Sequence, residues 1–178
     1  MSDDVPPRDY RHVVEFPEAV TLRPIGVVRS IFTERHGTPR QAGLSGNRGA
    51  AADAPGRVEL DPDQIPPEAL QDLDGFDFIW LVTYLHLNTD RWAARVRPPR
   101  GGGRRGVFST RAPHRPNNLG LSAVRLVSVE GLTLHLAGVD LIDGTPVLDI
   151  KPYVHFADAF PDARAGWVDA MGGRPGVG

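Results

Sequence analysis

The sequence predicts a mainly-β fold: a small single-domain barrel of six to seven short strands with one or two short helices. Apolar, β-branched segments recur at close spacing with almost no helical pattern between them. The 17 prolines and 20 glycines impose many turns and leave little room for long helices. A doubly wound nucleotide-binding sheet would need helices between its strands, and the chain does not supply them. At 178 residues, with 40% hydrophobic and 24% charged side chains, the chain is long enough for one domain with a real core.

Residues 1–19 are polar and proline-bearing and read as a flexible leader to a barrel domain over 20–160. VTLRPIGVVRS, from Val20, looks like a first strand ending near Arg29. Gly37, Pro39 and Gly43 then break the chain into a structured loop, followed by small polar residues over 45–56. Residues 57–60 make a short strand. An Asp start, early prolines and apolar Ile65, Leu70 and Leu73 give a turn leading into one short helix over 61–73. FDFIWLVTYLHL, 76–87, is the strongest strand signal, apolar enough to expect burial on both faces, with His86 as its polar terminus. Residues 106–110 read as another short strand, leading into the turn APHRPNNLG. Three more strands follow at 121–129, 132–139 and 147–150, with a hairpin turn at 129–131 and a tight turn at 142–146. The tail, 161–178, carries small and apolar residues that suit one docked helical turn.

Formal net charge is −2, but its distribution is uneven. Eight arginines (Arg91, Arg95, Arg97, Arg100, Arg104, Arg105, Arg111 and Arg115) fall in one stretch without an acid. Such a field suits a phosphate or carboxylate partner; it also reads as a solvated turn region in a chain whose one lysine is Lys151. The absence of cysteine excludes disulfides and thiolate metal sites. No apolar run approaches the ~20 residues of a spanning helix, and the first residues lack a signal-peptide profile. A cytoplasmic protein without membrane contact is expected.

Motif by motif, the usual nucleotide and hydrolase signatures are missing: no G-x-G-x-x-G after a strand, no P-loop, no G-x-S-x-G elbow. GGGRRG at 101–106 lacks the G-K-[ST] ending and precedes a strand. The six histidines do not pair at metal-ligand spacing, so no metal is expected. His114, in the arginine-rich turn, suits a hydrogen bond to a ligand. Asp143 before Gly144 is explained by turn formation, or equally by accepting from a ribose hydroxyl or an ammonium. Asp149, Lys151 and Tyr153 suit a local ion pair and a packed aromatic.

Five segments in order carry a resemblance. They include PIGVVRSIFTERHGTPRQAGL, GFDFIWLVTYLH, VRPPRGGGRRGVFSTRAPHRPNNLGLS and GVDLIDGTPVLDIKPY, together with the intervening strands. Over about 22–159 the chain resembles the TrmO/TsaA-like family of S-adenosylmethionine-dependent tRNA adenosine N6-methyltransferases with a small β-barrel fold. The resemblance implies a homodimer that binds S-adenosyl-L-methionine where two barrels meet. Matched by motif, the cofactor contacts are Gln41, Ala42, Gly43, His86, Leu87, Arg111, Leu121, Asp143, Gly144, Thr145 and Pro146. Arg97, Arg100, His114, Arg115 and Asn117 are the candidate substrate contacts; no catalytic residue is identified. Methyl transfer from a sulfonium asks mainly for alignment and exclusion of water, which agrees with the lack of a strongly basic constellation.

The chain departs from the family pattern N-P-[IL]-G at Asn117, Asn118, Leu119 and Gly120, and has Leu87 where Gln is frequent. It also lacks the D-P-R-P-x-Y motif of a second domain associated with tRNA work. Three expectations therefore stand: N6-methylation of threonylcarbamoyladenosine beside the anticodon of tRNA; N-methylation of a small molecule; and a cofactor- or nucleoside-binding module without turnover.

Overall fold

The computed structural model describes residues 17–34, 38, 54–88, 91–99 and 102–171. Among them, six strands close into a barrel: β1 (Gly26–Ser30), β2 (Pro55–Leu60), β3 (Phe78–Tyr84), β6 (Leu119–Glu130), β7 (Thr133–Ala137) and β8 (Pro146–Pro152). A separate hairpin pairs β4 (Arg95–Val96) with β5 (Arg105–Gly106). Round the barrel the order is β1-β2-β7-β6-β3-β8, with every neighbouring pair antiparallel. Closure leaves no free sheet edge.

Alternation fills the inside. Val28, Val58, Ile79, Leu81, Leu134 and Val147 have no exposed surface and come from five of the six strands; Val124 of β6, 1% exposed, completes the ring. β3 corrects the expectation of burial on both faces. Ile79, Leu81 and Thr83 point in and are fully buried, while Phe78 and Tyr84 on the other face are 40% and 39% exposed. A barrel strand has only one inner face, so the apolar outer residues need some other cover.

The first strand is shorter than the sequence suggests. Residues 20–24 run without ladder partners, with Val20 and Leu22 exposed, because Pro24 has no N–H to give. Pairing starts as Ile25 donates to the Val147 carbonyl at 2.8 Å. The expected helix over 61–73 is two 3-10 turns, Pro67–Leu70 and Leu73–Gly75, with Asp72 between them in the left-handed region at φ 63°. The four-residue helix α1 (His155–Asp158) follows β8.

The expected strand over 106–110 is also corrected: Val107–Ser109 is a 3-10 turn. Local bonds capture the carbonyls that a ladder would have used. Thr110 Oγ1 donates to the Val107 carbonyl at 2.8 Å, and Ser109 Oγ to the Gly106 carbonyl at 2.9 Å. Arg115 Nη1 then donates to the carbonyls of Val107 and Thr110 at 3.2 and 2.9 Å. Val107 is left buried and Phe108 exposed.

The barrel ends differ. Connections 61–77 and 131–132 and the exit from β8 lie at one end; 131–132 is a tight turn with Gly131 at φ 58°. Connections 31–54, 85–118 and 138–145 all lie at the other, where β1, β3 and β7 finish and β2, β6 and β8 begin. The tail forms a 3-10 segment, Gly166–Met171, that docks on the 105–109 region: Trp167 Nε1 donates to the Ser109 carbonyl at 2.8 Å.

Candidate functional site at the loop end of the barrel

All the sequence-derived site residues that are described lie at the end bearing the long connections. Gln41, Ala42, Gly43 and Arg100 fall outside the described residues. His86 and Leu87 follow β3 as an exposed turn rather than a strand terminus; His86 N–H donates to the Tyr84 carbonyl at 2.8 Å, and Leu87 is 62% exposed. Leu121, opposite Val82 near the start of β6, points outward and is also 62% exposed. Arg111, Arg97 and Asn117 are exposed, and His114 and Arg115 half-buried. Among the described residues Arg111 has no hydrogen-bond or ion-pair partner.

The turn Asp143, Gly144, Thr145 and Pro146 is a rigid ledge leading into β8. Asp143 Oδ1 accepts the Ser30 N–H at 3.0 Å, and Arg29 Nη1 stands 3.8 Å from Oδ2. Gly144 holds φ 78°, a left-handed conformation that costs glycine least. Thr145, 3% exposed, donates from Oγ1 to the Ile142 carbonyl at 2.6 Å. The backbone N–H groups of Asp143, Gly144 and Thr145 are all spent, on the carbonyls of Phe32, Val28 and Ile142. A ligand at this turn therefore meets carbonyls and side chains. The carboxylate of Asp143 fastens the turn to β1 through Oδ1.

Arg115, expected to face substrate, is instead largely occupied in holding the 107–110 turn, with its guanidinium carbon 5.5 Å from the Phe108 ring centroid. Beside it, Asn118 is buried at φ 48°, with Oδ1 accepting the Arg115 N–H at 3.4 Å and its own carbonyl accepting the Leu85 N–H at 2.8 Å. The proline of the family pattern could not adopt that backbone angle. Asn tolerates it, so the doublet Asn117-Asn118 was the available sequence signal.

Sequence reasoning missed a polar seam inside this barrel end. Ser122 Oγ donates to Asp140 Oδ1 at 2.8 Å, tying β6 to the connection before β8. Thr83, fully buried, has no hydrogen-bond partner for Oγ1 among the described residues. Gly120 lies directly opposite Thr83, and a Cβ there would overlap that hydroxyl and come within 3.0 Å of Leu85. The readable signal was a hydroxyl residue at an inward position of an alternating strand.

On the outer wall, Arg29 and Arg57 flank Glu59. Arg29 Nε and Arg57 Nη2 each stand 2.8 Å from a carboxylate oxygen. The hydrogen bond from Arg29, then that from Arg57, holds the Glu59 carboxyl below its ordinary range. The local pair foreseen at Asp149 and Lys151 is present at 2.8 Å, and Tyr153 packs 5.5 Å from Trp80 and 6.2 Å from Phe78. Two surface clefts lie away from the loop end, one along Pro24, Gly26 and Asp61, the other between Leu70, Phe76 and Ile150. Among the described residues no group of three His, Cys, Asp or Glu is placed to hold a metal ion, and no helix is long and apolar enough to cross a membrane.

Comparison with known proteins gives this geometry a family. Residues 27–159 match the model of the tRNA-methyltransferase O N-terminal domain. The chain is 49% identical over 160 residues to RcsF of Pseudomonas aeruginosa, named as an S-adenosylmethionine-dependent methyltransferase, covering 88% of this chain and 66% of that protein. It is 40% identical over 153 residues to the tRNA (adenine(37)-N6)-methyltransferase of Escherichia coli K12, covering 82% and 63%. The crystal structure of TrmO from Pseudomonas aeruginosa superposes with a TM-score of 0.70 at 44% identity, covering 85% of this chain and 63% of that one. The chain thus spans about two thirds of the length of these relatives. A six-stranded closed barrel with its long connections at one end, matched from β1 to just beyond β8, belongs to the tRNA-methyltransferase O family.

Proposed function

We propose that this chain is the barrel of an S-adenosylmethionine-dependent methyltransferase that methylates N6 of the threonylcarbamoyl-modified adenosine beside the anticodon of tRNA. The supporting observation is the convergence of the motif-matched residues His86, Leu87, Arg111, Leu121 and 143–146 at one barrel end. The donor set there fits the cofactor in kind. Arg111 offers an unpaired guanidinium to a carboxylate. Leu87 and Leu121 offer apolar surface to a purine or a methyl group.

The bound cofactor supplies an electrophilic methyl group on a sulfonium. The chain's part is to bind, orient and keep water out. Arg111 anchors the charged end, the fastened 143–146 turn gives a wall that does not move, and the leucines exclude water. Arg97 and Arg104, on either arm of the β4–β5 hairpin, face the solution with positive charge for tRNA phosphates.

The working unit is a homodimer in the cytoplasm. β3 and β6 present a continuous apolar outer face of Phe78, Tyr84, Leu119 and Leu121, 40%, 39%, 41% and 62% exposed. Leu121 belongs both to this face and to the motif-matched cofactor set, which supports a cofactor seated at the junction of two barrels. The test is incubation with methyl-labelled S-adenosylmethionine and tRNA, followed by nucleoside analysis of the digested RNA. Label in N6-methylated threonylcarbamoyladenosine is expected. Normal cofactor binding with an unlabelled tRNA would overturn the acceptor and direct the search to small molecules. No cofactor binding would overturn the whole reading.

A further inference from the structure

The docked tail marks a site of its own. The β4–β5 hairpin stands at the loop end, tied by the Val107 N–H to the Ala94 carbonyl at 2.9 Å and by Arg95 Nη2 to the Arg104 carbonyl at 3.3 Å. On it, the Arg105 guanidinium carbon lies 5.4 Å from the centroid of the Trp167 ring. The same indole donates from Nε1 to the Ser109 carbonyl at 2.8 Å. A planar cation thus lies against the ring face, and a backbone acceptor meets an N–H at the ring edge. That is the pattern by which proteins hold an unstacked nucleobase: guanidinium stacking on the face, and a carbonyl reading an edge amine.

Two features show that the indole does not use the whole site. Arg105 Nε is buried with no hydrogen-bond partner among the described residues, a donor that indole carbon cannot satisfy. The stretch from Arg91 to Arg115 also carries eight arginines and no acid. The tail's nearest acid in sequence, Asp169, is turned to its own backbone, accepting the Ala165 N–H at 2.7 Å. Beyond the indole the tail's grip is thin. A Cβ added to Gly102 would lie 3.2 Å from Met171 Sδ, yet Met171 and the other residues of 166–171, apart from half-buried Trp167 and Val168, are exposed.

We infer that Arg105 and the Ser109 carbonyl form a nucleobase-stacking subsite for single-stranded RNA, and that Trp167 of the chain's own tail occupies it as a displaceable stand-in. The base to be held carries an exocyclic amine, as adenine, cytosine and guanine do, because the Ser109 carbonyl is an acceptor. A phosphate or base acceptor of the incoming strand satisfies Arg105 Nε, and the adjoining arginines take the backbone charge. This deepens the tRNA reading and rests on it: the subsite would hold a base flanking the methylated one, and the tail would keep it covered until RNA arrives.

The test is binding of a fluorescein-labelled single-stranded oligoadenylate, a probe without the modified adenosine, followed by anisotropy on the full chain. Trp167→Ala should bind about three- to tenfold more tightly than the wild type, because the competing stack and hydrogen bond are gone. Trp167→Phe, which keeps a ring without the N–H, should fall between them. Arg105→Ala should bind more weakly, and in the double variant should cancel the gain. Unchanged or weaker binding by Trp167→Ala, with far-ultraviolet circular dichroism preserved, would make the tail a plain structural support. Equal affinity of the double variant and Trp167→Ala would remove Arg105 from the subsite. The two readings fail separately: tRNA methylation without a Trp167→Ala gain sinks the subsite alone, and the gain without methylation sinks the acceptor alone.

Discussion

The carboxylate of Asp143 accepts the backbone N–H of Ser30 at 3.0 Å, across 113 residues of sequence, and so fixes the turn before β8 to the end of β1. Removing this acceptor leaves a half-buried amide without its partner. Asp143→Ala should lose about 1–2 kcal/mol of stability in denaturant titration and weaken binding of S-adenosylmethionine by loosening the ledge. Asp143→Asn keeps the Oδ1 acceptor and should recover most of the stability.

Asn118 gives a prediction opposite to the usual effect of proline in a turn. Its φ of 48° and its N–H donation to the Arg115 carbonyl at 3.2 Å are both incompatible with proline. Restoring the family pattern with Asn118→Pro should therefore destabilise by about 2–3 kcal/mol rather than stabilise. Asn118→Gly should stay within about 1 kcal/mol of the wild type. A thermal melt of the two variants decides between this turn and the one that proline presets.

Thr83 is the one inward β3 residue with a hydroxyl, and that hydroxyl is unpaired among the described residues. Thr83→Val keeps the shape and removes the orphaned donor, and should raise stability by about 1 kcal/mol without changing the denaturant slope. A loss instead would show that the hydroxyl has a partner in solution.

Acid should act through Glu59. Its carboxyl is held below the ordinary value of 4.5 by hydrogen bonds from Arg29 and Arg57. A depressed folded-state pKa contributes stability above the unfolded value, and that contribution is lost as pH falls through the folded one. The stability difference between wild type and Glu59→Gln should thus be constant at neutral pH, shrink below about pH 4.5, and vanish under the lowered folded pKa. Melts from pH 7 to pH 3 measure it.

The outer face of β3 and β6 should dissociate on a charge. Leu121→Arg, opposite Val82 on that face, should shift the protein from dimer to monomer by light scattering while leaving the barrel's circular dichroism unchanged. It should also weaken cofactor binding if the proposed seating of the cofactor beside Leu121 holds.

The barrel was legible because Val124 and Leu126 on β6 are separated by exposed Arg125, and Leu134 and Leu136 on β7 by half-buried His135, the period of a one-sided strand. The 106–110 segment was not. Val107 and Phe108 look like strand residues, and what bends them is Arg115, which reaches back across eight and five positions to the carbonyls of Val107 and Thr110. β3 misled for the opposite reason: its outer residues are apolar yet partly exposed, and periodicity cannot tell an apolar outer face from a core. Motif matching picked residues that the topology gathers at one barrel end, because strand ends are fixed by the ladder. It could not assign their side chains, since Asp143 and Arg115 are engaged by backbone groups distant in the chain or reached only after folding.

The seam between β1 and β8 has a kinetic meaning. Its ladder holds just Gly26 against Val147 and Val27 against Pro146, extended by the exchange between Val28 and the 144–145 turn. Strands separated by some 120 residues must find each other to make it, and such non-local pairing pays its loop entropy before any contact rewards it. The seam is therefore the natural last step of folding and the first place for the cylinder to open. The Ser30–Asp143 latch lies on it. During synthesis the ledge cannot be fastened until β8 has emerged, so the candidate site and the closed barrel arrive together. Amide exchange at Val28, Gly144 and Val147 would report both.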